Sequence, residues 1–394
     1  MSGIVLLLFA YVLSQFYRSF LAVLSPVLSS ELGMTASALS YASAAWFVIF
    51  ALAQFPIGAA LDRIGPRRTA AILLLVGGAG GIGLFAMAGS GVTIIIAMAL
   101  IGIGCAPVLM AAFYIFALEF TPAKFATLAA TFVGLGTLGN VLGSQPLAAA
   151  VEAFGWRHVG FMLCAITAVV AVGIFALVKD PVVEQTGEKR GSVWDVLKVK
   201  ELWLIFPMIF MGYSLAAGIR GLWAGPYLID TFSMGTSEIG QVTLYMALAL
   251  VAGSFAFGPL DRIFNTRKWI ILAGNTIVLI AVLWLLFSHN KEPWQVTMAF
   301  TAIGFFGAGY AVQVAHGKGF VPKHLMGRGV TLLNFFSIGG AGVLQALSGF
   351  IVGTAAQNGG TEAGYQALFV FYAVTLVIAM GIYVFSKDSK PNPS

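Results

Sequence analysis

The chain has 394 residues, of which 59% are hydrophobic and only 9% are charged, and its net charge is +6 at pH 7. Soluble domains carry about 25% charged residues, so this composition excludes an ordinary soluble protein and indicates one that crosses a membrane many times. The excess of basic residues is then expected to reflect membrane topology, and we predict no binding to nucleic acid.

A hydropathy window of about 19 residues finds twelve apolar segments along the chain. The first, from Ile4 to Leu28, is too long for a cleavable signal peptide and no basic residue precedes it, so we expect it to form the first membrane helix. A polar stretch at residues 179–200 divides the segments six and six. The segments are centred near residues 16, 50, 79, 106, 136, 168, 215, 248, 278, 306, 338 and 374.

We therefore predict an all-α membrane protein with twelve transmembrane helices in two six-helix bundles. Residues 1–178 form the predicted N-terminal bundle, residues 179–200 a cytoplasmic linker and residues 201–394 the C-terminal bundle. If both termini are cytoplasmic, sixteen of the 21 basic residues lie on the cytoplasmic side, and only Arg157 and Lys291 lie in loops on the other side. We expect a protein of the cell (inner) membrane with both termini in the cytoplasm.

The two halves of the chain repeat each other weakly. Two acidic residues are separated by 31 positions in each half, and a glycine followed by an aromatic residue recurs near the sixth and twelfth segments. An internal repeat of six helices in the same orientation is typical of a transporter whose bundles rock about a midplane site. The matching positions are Glu31 and Asp230, Asp62 and Asp261, and Gly155-Trp156 and Gly364-Tyr365.

Two arginines lie in the middle of apolar segments, Arg18 in the first and Arg220 in the seventh. A charge at the centre of a membrane helix costs from roughly 2.5 to well over 10 kcal/mol, so it must face a hydrated cavity or an opposite charge. A guanidinium stays protonated and offers a planar fork of donors that fits a carboxylate or a phosphate. The sequence therefore predicts an anion site with one arginine from each half, and a buried ion pair that braces helices is the alternative.

Further substrate-binding candidates follow from helical spacing, because residues three, four or seven apart share a helix face. Polar residues on later helices are weaker candidates, since hydrogen bonding between helices explains them as well. The candidates are Tyr11 and Gln15 near Arg18, Tyr213, Trp223 and Tyr227 near Arg220, and Tyr310, Gln313 and Asn334 on later helices.

The loop between the second and third segments carries the clearest motif, Gly58-Ala-Ala-Leu-Asp62-Arg63-Ile-Gly65-Pro-Arg67-Arg68. Its glycines permit a tight turn and a close backbone approach, and its aspartate can accept hydrogen bonds at the N-terminus of a neighbouring helix. A degraded copy in the second half reads Gly258-Pro-Leu-Asp261-Arg262. With these motifs the chain resembles the major facilitator superfamily.

This resemblance implies a major facilitator fold with alternating access. It also implies that Asp62 and Arg63 lock the two bundles together on the cytoplasmic side when the cavity opens outward. For Arg67 and Arg68, a role in topology alone is the alternative. The expected gating and latch residues are Gly58, Asp62, Arg63, Gly65, Arg68, Glu119, Asp261 and Arg262.

Within the superfamily, Tyr17-Arg18 and the stretch to Pro26, with Gln54-Phe55-Pro56 before the motif glycine, are most similar to the anion:cation symporters and the organophosphate:phosphate antiporters. The resemblance implies an organic anion as substrate, contacted by Arg18 and by a second arginine at the position of Arg220. Many proton-coupled members have an acidic residue where this chain has Tyr17. Coupling could instead use His316 as a proton relay, unless it is simply a solvated histidine, or could use exchange with a counter-anion.

We therefore predict a secondary active transporter that takes up a small organic anion, by proton symport or anion exchange, and works as a monomer in the lipid bilayer. The aromatic content of 13% leaves an efflux carrier for amphiphilic compounds as the alternative. An enzyme is not expected, since the sequence has no GxxxxGK, HExxH or CxxC motif. Its four scattered histidines share no metal-ligand spacing, so we expect neither a metal nor another cofactor.

Overall fold

The computed structural model describes residues 2–120, 122–181, 193–288, 291–322 and 325–390, which are largely helical and contain no β-strand. The helices of the first half are α1 (Ser2–Tyr17), α2 (Phe20–Leu32), α3 (Ala36–Arg63), α4 (Pro66–Leu73), α5 (Gly80–Ala86), α6 (Gly91–Glu119), α7 (Pro122–Gly136), α8 (Leu138–Leu142), α9 (Gln145–Phe154) and α10 (Trp156–Leu177). Those of the second half are α11 (Val193–Leu197), α12 (Lys200–Trp203), α13 (Phe206–Gly218), α14 (Ala224–Phe232), α15 (Thr236–Ile263), α16 (Lys268–Phe287), α17 (Pro293–Phe306), α18 (Tyr310–Lys318) and α19 (Met326–Tyr383). Two π-helical turns, Leu74–Ala79 and Ile219–Trp223, join α4 to α5 and α13 to α14.

The apolar segments fold as membrane helices. Within the described ranges, nine helical stretches are long and apolar enough to cross a membrane, or ten if the bent pair α1 and α2 counts as one span. The segment near residue 136 forms the three short helices α7, α8 and α9. Helix α19 holds the last two segments, which meet at Gly360, where φ is 81° and ψ is 178°. The predicted all-α membrane fold is confirmed.

The chain forms two compact units. Unit 1 contains Met1–Thr186 and Met234–Gln241, and unit 2 contains Gly187–Ser233 and Val242–Ser394. Much of the predicted linker at residues 179–200 lies outside the described residues, and its described part includes α11 and the start of α12.

Glycines bring helices of unit 1 into close contact. A Cβ atom on Gly104 of α6 would lie 2.1 Å from the backbone nitrogen of Gly78, next to the π-helical turn after α4. A Cβ atom on Gly139 of α8 would lie 2.0 Å from the carbonyl oxygen of Val12 in α1. Small residues allow this approach in membranes, where van der Waals packing drives helix association. The second contact fixes the helix that leads to Arg18.

Each unit has a polar brace where its first membrane helix ends and its sixth begins. In unit 1, Glu31 at the end of α2 forms an ion pair with Arg157 in the first turn of α10. In unit 2, Asp230 near the end of α14 accepts a hydrogen bond of 2.6 Å from the hydroxyl group of Tyr365. The repeated acidic positions are therefore each tied to the start of the sixth membrane helix of their own unit, Glu31 through Arg157 and Asp230 through Tyr365.

A second brace lies at the opposite end of each unit. Asp180, which follows α10, accepts a hydrogen bond of 2.8 Å from the backbone N–H of Arg67 in the first turn of α4. Asp388, which follows α19, accepts hydrogen bonds of 3.1 and 3.0 Å from the backbone N–H groups of Arg267 and Lys268 at the start of α16. The first N–H groups of a helix lack partners within it and favour a negative charge. One acid per unit thus caps the third helix of its own bundle.

Candidate functional site

Arg18 lies at a break in the first membrane helix. The predicted first membrane helix is broken here: α1 ends at Tyr17, α2 begins at Phe20 and the two are bent by 49°. The backbone N–H and the hydroxyl group of Ser19 both donate to the carbonyl oxygen of Phe16, at 3.0 and 3.3 Å. These bonds close a tight turn in place of the next α-helical turn. The half-buried arginine is therefore presented from an irregular point of the helix.

The guanidinium of Arg18 lies over an aromatic pair on α3. Its Cζ atom is 5.0 Å from the ring centroid of Trp46 and 4.9 Å from that of Phe50, and the two rings stack with their centroids 4.9 Å apart. Cation–π contacts stabilise a cation without removing its charge. Sequence reasoning missed this pair, although a spacing of four residues on a predicted helix places both rings on one face.

Tyr17, next to the arginine, anchors α1 to α10. Its side chain is 0% exposed, and its hydroxyl oxygen is 2.8 Å from Oγ1 of Thr167. The hydroxyl group of Thr167 donates to the carbonyl oxygen of Leu163 at 2.7 Å, so Tyr17 is the donor to Thr167. A tyrosine in this position fixes the end of α1, immediately before the turn that carries Arg18.

Tyr11 and Gln15, two of the substrate-binding candidates, are buried inside unit 1. The amide of Gln15 donates to the hydroxyl group of Tyr11 at 2.8 Å, and the ring of Tyr11 stacks on Phe132 with the centroids 5.6 Å apart. A Cβ atom on Gly136 would lie 2.2 Å from the ring of Tyr11, so the ring fits against a glycine. This packing supports a role in holding α1 against α7, and contact with substrate stays a prediction.

Arg220 lies in the π-helical turn Ile219–Trp223 and is 4% exposed. Such turns occur mostly as single bulges within α-helices, frequently at functional sites. The bulge changes which residues share a face with the arginine. The prediction that Trp223 and Tyr227 lie beside Arg220 uses α-helical spacing, which this turn interrupts.

Trp223 and Tyr227 instead make contacts inside unit 2. The indole Nε1 of Trp223 donates to the hydroxyl group of Ser348 at 3.0 Å. The ring of Tyr227 makes edge-to-face contacts with Tyr365 and Phe369, with centroid distances of 5.0 and 5.5 Å. Both side chains are buried. This packing supports a structural role, and contact with substrate stays a prediction.

Three candidates from different helices meet in unit 2. The rings of Tyr213 on α13 and Tyr310 on α18 have centroids 5.8 Å apart. The hydroxyl group of Tyr310 donates to Oδ1 of Asn334 on α19 at 2.8 Å. All three side chains are half-buried. The sequence places each residue on a membrane helix, but only the packing of the helices makes them neighbours.

Gln313 lies one helical turn after Tyr310 and is 3% exposed. It fits against Gly212, where a Cβ atom would lie 2.3 Å from its Nε2 atom. Its Oε1 atom is buried and has no hydrogen-bond partner among the described residues. An unsatisfied buried acceptor costs about 1–3 kcal/mol, so a water molecule or a polar ligand is the expected partner.

His316, the candidate proton relay, is 0% exposed and lies against the C-terminal segment. The carbonyl oxygen of Lys387 is 2.9 Å from Nε2; because a carbonyl can only accept, Nε2 carries a proton. In the neutral ring, Nδ1 then accepts the hydroxyl proton of Tyr383 at 2.6 Å. Both nitrogens are satisfied in the neutral state. This geometry supports a structural role, and proton transfer through His316 stays a prediction.

The predicted latch residues differ in their surroundings. Gly65 has a φ of 94°, which favours glycine, and a Cβ atom there would lie 2.6 Å from Oδ1 of Asp180. A Cβ atom on Gly58 would meet no atom within 4 Å. Asp261 is 9% exposed and accepts a hydrogen bond of 3.1 Å from Nε of Arg267. The exposed members of the set, all at helix ends or in the loop after α3, are Asp62, Arg63, Arg68, Glu119 and Arg262.

The family of the chain follows from comparison with known proteins. The model of the Major Facilitator Superfamily matches residues 7–225 and 205–394. The chain belongs to this superfamily. It is also 23% identical, over 428 aligned positions, to the Probable L-galactonate transporter of Escherichia coli (strain K12), in an alignment that covers 98% of this chain and 88% of that protein. The resemblance predicted from the loop motif is confirmed at the level of the superfamily.

Solved structures of superfamily transporters have the same fold. A bacterial homologue of the human lysosomal transporter Spinster, inward-facing and occupied, aligns with a TM-score of 0.75 at 16% identity, over 97% of this chain and 96% of its own. The nucleoside transporter NupG aligns with a TM-score of 0.76 at 13% identity, over 98% and 99%. A D-xylose-proton symporter aligns with a TM-score of 0.76 at 12% identity, over 99% and 98%. The chain is thus an integral multi-pass membrane protein and a secondary transporter.

Proposed function

We propose that this transporter takes up a small organic anion across the cell (inner) membrane by alternating access, and that Arg18 and Arg220 bind the anionic group. The observation that carries the proposal is the position of Arg18. It lies at the turn between α1 and α2, within an apolar span, and over two aromatic rings. An intramembrane arginine marks a substrate or ion pathway by default. Cation–π contacts stabilise a cation at such a position without removing its charge.

Arg220 supports the same proposal from the second half of the chain. It is an almost fully buried cation in a π-helical turn, and keeping such a bulge and such a charge together in an apolar span is costly. A guanidinium binds carboxylates and phosphates through paired N–H donors. The related E. coli protein is described as a probable transporter of L-galactonate, and a galactonate ion carries one carboxylate. A substrate with a carboxylate is consistent with both arginines.

Of the two coupling modes, we favour anion exchange over proton symport. Tyr17 takes the place of the acidic residue found in many proton-coupled relatives, and its hydroxyl group is engaged with Thr167. His316 has both ring nitrogens satisfied in the neutral state. Exchange of one anion for another needs no residue that gains and loses a proton. We retain the loop of Asp62 and Arg63 as the cytoplasmic latch, with both termini in the cytoplasm and the monomer as the working form.

The test is uptake of radiolabelled L-galactonate into proteoliposomes by the wild type and by the variants Arg18→Ala and Arg220→Ala. A hydrogen bond to a charged group contributes about 1.5–3 kcal/mol, so each variant should lose about tenfold or more in kcat/KM. Arg18→Lys and Arg220→Lys keep the charge but lose the paired donors, and should retain partial uptake. Arg157→Ala is the matched control, because it removes an arginine from an exposed ion pair at a helix end.

Several outcomes would contradict parts of the proposal. Full uptake by both alanine variants excludes the proposed binding residues. Uptake that requires a pH gradient, and that proceeds without any internal anion, excludes exchange. Thermal stabilisation by lipophilic cations and not by carboxylates or phosphate esters would favour the efflux carrier, since a ligand stabilises the folded state in proportion to ln(1 + [L]/Kd). Binding without flux under any gradient would indicate a receptor.

A further inference from the structure

Unit 2 contains a small cluster of polar side chains contributed by three different helices. It is formed by Tyr213 on α13, Tyr310 on α18 and Asn334 on α19, with a ring contact of 5.8 Å between the tyrosines and a hydrogen bond of 2.8 Å from Tyr310 to Asn334. We call these three residues the hydroxyl group sensor. They lie within the long apolar stretches Lys200–Phe232, Pro293–Lys318 and Arg328–Tyr383, and all three are half-buried. Polar side chains within membrane helices hydrogen-bond across helices or face a water-filled path, and the half-buried state of these three leaves part of each surface accessible.

The donors and acceptors of the sensor suit an uncharged hydroxyl group of a ligand. The hydroxyl group of Tyr310 donates to Oδ1 of Asn334, which turns the amide Nδ2–H2 of Asn334 to the other side as a donor. Phenolic oxygens both donate and accept. The buried Oε1 atom of Gln313, which has no hydrogen-bond partner among the described residues, adds an acceptor one helical turn from Tyr310. A ligand hydroxyl group both donates and accepts, whereas a carboxylate only accepts.

The position of the sensor relative to Arg220 sets the shape of the ligand. Tyr213 precedes Arg220 by seven residues, which is two helical turns or about 10 Å along the helix. A molecule that reaches from the arginine to the sensor must therefore carry its negative charge at one end and hydrogen-bonding groups at the other. Acids without a remote polar group, such as acetate and benzoate, have no group to place at the sensor.

We propose that Tyr310 and Asn334 select an organic acid with a hydroxylated chain, of the sugar-acid class, by hydrogen-bonding a hydroxyl group remote from the carboxylate. This inference rests on the proposed function, in which the carboxylate binds the arginines. Tyr310 and Asn334 are then specificity-determining residues. Their substitution should change the preference among anions and not the need for an anion.

The test measures how well unlabelled acids compete with radiolabelled L-galactonate for uptake into proteoliposomes. The competitors are L-galactonate, its 6-deoxy analogue and its 2-deoxy analogue. A neutral hydrogen bond contributes about 0.5–1.5 kcal/mol, so loss of the remote hydroxyl group should raise the inhibitory concentration roughly two- to tenfold in the wild type. The 2-deoxy analogue, which lacks a hydroxyl group next to the carboxylate, should lose less.

In Tyr310→Phe and Asn334→Leu, the 6-deoxy analogue should compete as well as L-galactonate itself. The matched controls are Tyr365→Phe, which removes a hydroxyl group bonded to Asp230, and Asn275→Leu, which removes an amide bonded to the carbonyl oxygen of Ile271. Both controls should keep the wild-type ratio between the two acids. Thermal unfolding in detergent establishes beforehand that each variant is folded.

Competition by L-galactonate and by its 6-deoxy analogue can be compared in the wild type alone. The inference can therefore be tested even if a variant fails to fold. Equal competition by L-galactonate and the 6-deoxy analogue in the wild type would overturn the inference. So would a wild-type ratio in folded Tyr310→Phe and Asn334→Leu, or uptake of benzoate or a phosphate ester in preference to L-galactonate. These results leave the proposed anion transport standing. Absence of uptake for every one of these anions would instead refute the proposed function.

Discussion

Replacement of Asp388 by asparagine should destabilise unit 2 at neutral pH. The carboxylate of Asp388 accepts hydrogen bonds from the hydroxyl group of Thr266 at 2.5 Å and from the backbone N–H groups of Arg267 and Lys268 at 3.1 and 3.0 Å. Its side chain is 17% exposed, so solvent screens these bonds only in part. Loss of a capping residue costs about 0.5–2 kcal/mol, and a hydrogen bond to a charged group contributes about 1.5–3 kcal/mol. Because asparagine keeps one acceptor oxygen, we expect a loss of about 2 kcal/mol.

The effect should depend on pH in a defined direction. Burial alone would raise the pKa of the Asp388 carboxyl, but the hydrogen bonds from Thr266 and from the backbone of Lys268 and Arg267 outweigh it and hold the pKa below its ordinary value. The charged form therefore stabilises the folded state fully above the ordinary carboxyl pKa of about 4. This contribution is lost as the pH falls through the lower pKa of the folded state. Wild type and Asp388→Asn should become equally stable in acid.

The assay is thermal unfolding of the purified protein in detergent, from pH 7.5 down to pH 3. For a unit of 150–250 residues, 1 kcal/mol corresponds to a change in Tm of about 2–4 °C, so the variant should melt about 4–8 °C lower at neutral pH. Asp195→Asn is the control, because it removes an exposed carboxylate paired with Lys198 three residues later and should leave Tm unchanged. A Tm equal to that of the wild type at pH 7.5 would refute the capping role, and a difference in Tm that does not shrink as the pH falls towards 3 would refute its electrostatic origin.

Three further substitutions test other parts of the structure. Gly104→Ala places a methyl group 2.1 Å from the backbone nitrogen of Gly78 and should cost about 1–3 kcal/mol or more in thermal unfolding, whereas Gly381→Ala, with no atom within 4 Å of the new Cβ, should be neutral. Glu31→Gln removes an ion pair whose carboxylate is 46% exposed, so its effect on Tm should stay within the range of about 0–1 kcal/mol for surface pairs. Trp46→Leu removes one cation–π contact of the arginine in the first membrane helix, worth about 0.5–2 kcal/mol, and should raise the KM for L-galactonate in the folded variant; an unchanged KM would contradict the role given to the aromatic pair.

The membrane helices were predictable because hydrophobic length alone identifies them, but their interruptions were not. The turn at Arg18 and Ser19 contains no glycine or proline and lies in a continuous apolar run. The space that it needs is made elsewhere: a Cβ atom on Gly143 would lie 2.8 Å from Oγ of Ser19. The π-helical turn at Arg220 likewise has no fixed local sequence signal. Helix faces predicted from α-helical spacing are interrupted wherever tertiary packing inserts such a break, as at the π-helical turn that contains Arg220 and Trp223.

The charged residues of the candidate site could be predicted from the sequence, but the residues that contact one another within it could not. An intramembrane arginine stands out in any apolar segment, so Arg18 and Arg220 could be found from sequence. The capping acids were missed, although a signal was present: each half has a Lys-Asp pair just after its last apolar segment, Lys179-Asp180 and Lys387-Asp388. Contacts between helices far apart in sequence, such as that of Tyr310 with Asn334, leave no such signal, because each residue alone is an ordinary polar residue in a helix.

The two units resemble each other in their braces and differ around their arginines. Each unit ties the end of its first membrane helix to its sixth, and caps its third helix with an acid. Around the arginines the chemistry diverges. Arg18 lies over two aromatic rings, whereas the helix that leads to Arg220 carries Tyr213, whose ring contacts Tyr310, which in turn hydrogen-bonds to Asn334. The braces tie together helices within each bundle. Recognition of one asymmetric molecule requires different protein groups for its different ends. An acid with a charged end and a hydroxylated end is therefore consistent with two units that share their braces but differ around their arginines.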